Sequence, residues 1–109
     1  MQQDKLYLFE SSKLEILKKH GNLVLSLKTF KKSLRYMGEE ILQIKTKKIL
    51  RGTPDKMGED QKKQYDELVN LVLVELEAVT GFKKLVCRFL PVEEDASMND
   101  QPCVIIEQA

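Results

Sequence analysis

The stretch HGNLVLSLKTF, residues 20–30, reads in two ways, and the fold turns on which one holds. Joined to residues 31–51, it opens a long amphipathic helix. Leu23, Leu27, Phe30, Leu34, Met37, Ile41 and Ile44 step by alternating fours and threes, the period of a coiled-coil seam. Joined to residues 13–19 instead, LVLSL is the second arm of a hairpin whose first arm is KLEIL, turning at HGN. The length of the stripe favours the helix, which is expected to run from Asn22 as N-cap to about Arg51. Gly52, Thr53 and Pro54 would stop it. Gly38 inside it costs about 1 kcal/mol relative to alanine and marks a bend or a close approach to another element.

Upstream, SSKLEILKKHG predicts a short helix over residues 12–20. Ser12 and Glu15 stand at capping-box spacing, Lys18, Lys19 and His20 suit the carbonyl end of the dipole, and Gly21 can close it. The aromatic stretch KLYLFE (5–10) reads as a strand. LYLFE resembles the first strand of an RNA-recognition motif, but the glycine-and-aromatic second signature is absent and the helix order differs, so no family is assigned.

Downstream, a second helix is expected from about residue 60 to 80, with Gly81 as its stop and Tyr65, Val69, Val72, Leu76 and Val79 as its seam. FKKLVCRFLPV then alternates like a strand closed by Pro91, EEDASMNDQ is an acidic loop, and CVIIE (103–107) is a β-branched last strand. The expected architecture is a single α+β domain over residues 1–109. Its helical hairpin has arms 22–51 and 60–80, beside a small antiparallel sheet of one N-terminal and two C-terminal strands.

The second helix carries more apolar surface than one seam. With Tyr65 at zero on a helical wheel, Leu73 falls near 80°, Val74 near 180° and Leu71 near 240°, roughly at 100° per residue. One partner helix cannot cover all three. Either the domain's own sheet covers the remainder, or another chain does. A straight helix over 22–51 would be about 45 Å long, longer than a domain of this size is wide, and that overhang favours another chain, most simply a twofold copy.

Composition narrows the chemistry. The chain has 109 residues, 42% of them apolar and 32% charged, enough for a core without disulfides or metals. No apolar run nears the ~20 residues of a membrane span, and no signal-peptide pattern opens the chain. An intracellular protein of cytoplasm or nucleus is expected, with Cys87 and Cys103 as free thiols. One histidine, scattered glycines and acids at helix starts and loops offer no metal-ligand spacing, no phosphate cradle and no paired acid–base design. The expectation is therefore no enzyme, no cofactor and no small-molecule substrate. An enzyme acting through Cys87 would need a thiol of depressed pKa.

Charge is split along the chain. Residues 1–57 carry thirteen Lys/Arg against six Asp/Glu, a net +7, and residues 58–109 carry five against eleven, a net −6. Such a split suits a partner of one sign, or two halves that attract each other. The function expected is a protein-interaction module, self-associating or the small subunit of a larger assembly. Its partner surface is placed on Phe30, Met37, Ile41, Leu71, Leu73 and Val74. The alternative is nucleic-acid binding through Lys28, Lys31, Lys32 and Arg35, a basic group that Glu39 interrupts and no aromatic series accompanies.

Overall fold

A computed structural model describes residues 9–92 and 101–109. The described residues form an α+β fold of three α-helices and a three-stranded antiparallel sheet. In chain order these are α1 (Ser11–His20), β1 (Asn22–Ser26), α2 (Leu27–Tyr36), α3 (Glu59–Thr80), β2 (Leu85–Leu90) and β3 (Cys103–Gln108). A π-helical turn, Met37–Ile41, extends α2, and a short 3₁₀ turn, Pro54–Lys56, precedes α3. Most of the strand expected at 5–10 and most of the acidic loop 93–101 lie outside the described residues; Phe9 is buried but not in a strand.

The single long helix over 22–51 does not form. Its first five residues are a strand and its last ten are irregular. The reason is a coincidence of periods. Leu23 and Leu25 are buried while Asn22 and Val24 are exposed, a period of two. Leu23 and Leu27 also fit a period of 3.6, so the two patterns overlap there. Long-range pairing decides: β1 runs antiparallel to β3, with Leu23 opposite Ile106 and Leu25 opposite Val104. Ser26, not Asn22, is the N-cap, its hydroxyl accepting from the Thr29 amide at 3.1 Å. The hairpin alternative holds for one arm only, since LVLSL begins a strand while KLEIL is helical. α1 starts at Ser11 behind Glu10 with no side-chain cap, so the Ser12–Glu15 capping box does not form. Gly21 closes α1 at φ 76°.

α2 holds its period only to Met37. There the Leu42 amide reaches back to the Met37 carbonyl at 3.1 Å, five residues away rather than four. The extra residue in that turn takes Ile41 off the line of Phe30, Leu34 and Met37. Gln43 then adopts a left-handed backbone, φ 57°, and the chain folds back over α3. The structure measures 39 Å in its longest dimension, and no described helical arm overhangs it.

The sheet order is β1-β3-β2. Leu23, Leu25, Leu85, Cys87, Val104 and Ile106 face inward, against a core that includes Leu17, Phe30, Leu34, Leu68, Val72 and Leu76. The helical arms of the expected hairpin are thus ten and twenty-two residues, not thirty and twenty-one.

Candidate functional site

The six residues assigned to a partner surface divide evenly. Phe30, Met37 and Leu73 are buried within this one chain, at 0%, 5% and 6% exposure. Ile41, Leu71 and Val74 are exposed, at 55%, 37% and 60%. Leu73 turns inward because α3 has a second covered flank. Burial there spans Leu68 and Val72 on one side through Tyr65 and Leu76 to Val69 and Leu73 on the other. What remains of the surplus on α3 is Leu71 and Val74.

These residues border a second exposed group that periodicity alone does not single out. The π turn and the residues after it leave Ile41, Leu42 and Ile44 open to solvent. Gly38 holds this corner against α3. A Cβ placed on Gly38 would lie 3.5 Å from Leu68 Cδ2 and 3.6 Å from Ile44 Cγ1, and would collide with the Thr46 methyl group. Thr46 is buried and donates its hydroxyl to Glu39 Oε2 at 2.7 Å, which fixes the returning chain. Nearer the start of α3, the Gln61 amide donates to the carbonyls of Ile49 (3.1 Å) and Arg51 (2.7 Å). The segment 44–51 therefore lies along the flank of α3 that carries Gln61 and Leu68. Leu71 sits one turn beyond Leu68 and about 60° further round, with Val74 about 60° beyond that. The result is an apolar shoulder of Ile41, Leu42, Ile44, Leu71 and Val74 on a helical scaffold. The one sequence signal for it is Gly38, whose close approach to another element displaces Ile41 and Ile44 from the seam.

Lys28, Lys31, Lys32 and Arg35 do share one face of α2, as helical spacing requires. Lys31 is turned to structural use: its ammonium donates to the Gly52 carbonyl at 2.5 Å, and partial burial lowers its pKa. That bond brings Arg51 toward the α2 cations. Lys32, Arg35, Tyr36, Glu39 and Glu40 line a shallow hollow of about 350 Å³ that two bases and two acids share.

The outer face of the sheet is the other apolar surface. Val24, Ile105 and Arg88 form one row across it, and Arg88 is paired with Glu107 at 2.7 Å. Val24 is half exposed, and Val86, Leu90 and Ile105 are partly covered.

The two cysteines are free and face opposite sides of the sheet. Cys87 stands opposite Ile106 on the inner face and Cys103 opposite Leu90 on the outer. Burial pushes the Cys87 thiol up to about 11. The Lys62 ammonium works against that and the Asp66 carboxylate adds to it. Tyr65 is raised too, first by burial and then by Cys87 and Asp66. A thiolate nucleophile requires the opposite shift. At pH 8, iodoacetamide is expected to modify Cys87 about a hundredfold more slowly in the folded than in the unfolded chain. Equal rates would show the burial to be wrong. Because Cys87 holds its proton more tightly when folded, the stability it contributes is complete below pH ~9 and is lost as pH rises toward 11, whereas the contribution of Tyr65 begins to fall only above pH ~10. For Cys87, partly accessible, that loss is on the order of 2 kcal/mol. Denaturant melts at pH 8 and pH 11, compared with Cys87→Ala, would measure it.

Among the described residues no group of three or more His, Cys, Asp or Glu side chains could hold a metal ion. None of the described helices is long and apolar enough to cross a membrane. No protein-family model, curated protein or solved structure matches the chain.

Proposed function

We propose that this chain is a non-catalytic protein-interaction module whose working surface is the shoulder formed by Ile41, Leu42, Ile44, Leu71 and Val74. The observation that carries the reading is this concentration of exposed aliphatic side chains on a corner braced by Gly38, Thr46 and Gln61. Burying a side chain of this type is worth roughly 1.5–3 kcal/mol, so a partner covering several of them gains appreciable affinity. Phe30, Met37 and Leu73, in the same reading, belong to the core and not to the working surface.

Leu71→Asp with Val74→Asp is expected to leave circular dichroism unchanged and the melting temperature within a few degrees, since both positions are exposed. A photo-crosslinking side chain at position 71 is expected to form an adduct with a protein, and the aspartate at position 74 is expected to abolish it. Unfolding of the double variant, or no adduct at position 71 above that at Lys13 on α1, would sink the reading.

Nucleic-acid binding is the second reading, favoured by the single-faced arrangement of Lys28, Lys31, Lys32 and Arg35 and by the approach of Arg51. It requires an affinity that falls steeply with salt, by a slope of about −0.7 to −0.9 per phosphate contacted. An affinity indifferent to salt, or no binding, removes it.

A further inference from the structure

Three segments distant in the sequence meet at the start of α2. Lys28 and Lys31 form one wall of a hollow of about 410 Å³, Thr53 a second, and Gln101 with Pro102 a third. Two of these walls are fastened to the helix. The Lys31 ammonium donates to the Gly52 carbonyl, and the Leu27 amide donates to the Pro102 carbonyl at 2.9 Å. The charge of the hollow is unbalanced. Among the described residues neither Lys28 nor Lys31 has a carboxylate partner, and no acid is part of the lining. Asp55, outside the lining, accepts from the Thr53 hydroxyl. An ammonium has three N–H bonds, and Lys31 spends one of them on Gly52. Its other two, those of Lys28 and the side-chain amide of Gln101 are left for a ligand. Partial burial makes the Lys31 charge costly, and an anion beside it offsets that cost.

We propose that the hollow binds a phosphate group, and that the phosphate belongs to a nucleic-acid strand running along α2. The inference rests on the nucleic-acid reading and places an anchoring phosphate within it. Donors on separate walls suit a tetrahedral phosphate, which presents oxygens to α2 and to Gln101 together; a planar carboxylate faces one wall. Lys32 and Arg35 continue the same face of α2. The middle of that pair lies four residues beyond the middle of Lys28 and Lys31, about 6 Å along the axis, close to the separation of neighbouring phosphates in an extended strand. One phosphate sits in the hollow and the next on Lys32 and Arg35, where Glu39 and Glu40 end the basic line. No aromatic side chain lines the hollow, so the contact reads the strand's backbone and not its bases.

The test uses the full chain, a fluorescein-labelled oligothymidylate and inorganic phosphate. Anisotropy at rising salt is expected to give a slope of log Kd on log salt of about 1.4, two phosphates at about 0.7 each. Lys28→Glu is expected to raise Kd about tenfold and to halve that slope. Gln101→Ala, which changes no charge, is expected to raise Kd about threefold and to leave the slope alone. Lys19→Glu, the same charge change at the other end of β1 from α2, is expected to move Kd less than about twofold. Lys31 is left intact because its bond to Gly52 holds a wall in place, and circular dichroism checks that each variant folds. Inorganic phosphate is expected to shift the amide NMR signals of Gly52, Thr53 and Gln101 in the wild-type chain and not in Lys28→Glu. Strand binding that Lys28→Glu and Gln101→Ala change no more than Lys19→Glu does overturns the hollow and leaves the nucleic-acid reading standing. Phosphate shifts without strand binding overturn the strand as the source, and that reading with it. No response to either probe overturns both.

Discussion

Phe30→Ala is expected to remove about 3–5 kcal/mol of stability. Phe30 is fully buried, on the face of α2 that meets both α3 and the sheet. Truncating it deletes the transfer free energy of a ring and leaves a cavity that two rigid elements cannot collapse into. A domain of this size has a total of about 5–15 kcal/mol to lose, so the variant is expected to be marginal at room temperature. Urea unfolding followed by circular dichroism measures the loss directly, provided the slope with denaturant stays constant. Leu71→Ala is the control, with an expected cost below about 1 kcal/mol because the side chain is already exposed. If the two costs were alike, Phe30 would belong to the surface after all, and the division of the six apolar residues into core and shoulder would fail.

Gly38→Val is expected to cost about 3 kcal/mol, with Gly38→Ala about half of that. Any Cβ at this position collides with the methyl group of Thr46, which is itself buried. Thr46 must then shift, and its 2.7 Å hydrogen bond to Glu39 is strained or lost. The gain in helical propensity on replacing glycine offsets part of this for alanine, and less for the β-branched valine. Thr46→Ser removes the colliding methyl while keeping the hydroxyl. The pair Gly38→Ala with Thr46→Ser is therefore expected to be more stable than the sum of the single losses allows. A double-mutant cycle that closes without an interaction energy would place the cause elsewhere.

The parts of this fold that are legible in the sequence are those governed by local chemistry. α3 shows its stripe, its acidic first turn and its closing glycine, and it forms over Glu59–Thr80 with Gly81 left-handed at φ 84°. CVIIE and LVCRF are β-branched or alternating, and both are strands. Local patterns mislead where a distant partner decides. Nothing near Leu23–Ser26 distinguishes the first turn of a helix from a strand; Val104 and Ile106 do, from the far end of the described chain. Ile41 leaves its expected place because of one extra residue in a turn, which no hydrophobic period records. Of the surface residues, Leu71 and Val74 are legible because they stand away from a strong seam. Leu42 and Ile44 are not, because their exposure depends on the left-handed turn at Gln43.

The middle strand of the sheet is also the last of the described elements to be synthesised. β1 and β2 are not neighbours in the strand order; among the described residues each pairs with β3 alone. A nascent chain emerging from the ribosome can wind its helices early, but Leu23 and Leu25 must wait for Val104 and Ile106 before they have a ladder to join. Contacts of such sequence separation close slowly, and the waiting strand stays open to wrong neighbours meanwhile. Refolding is therefore expected to show helical signal first and the sheet last, with yield falling as concentration rises.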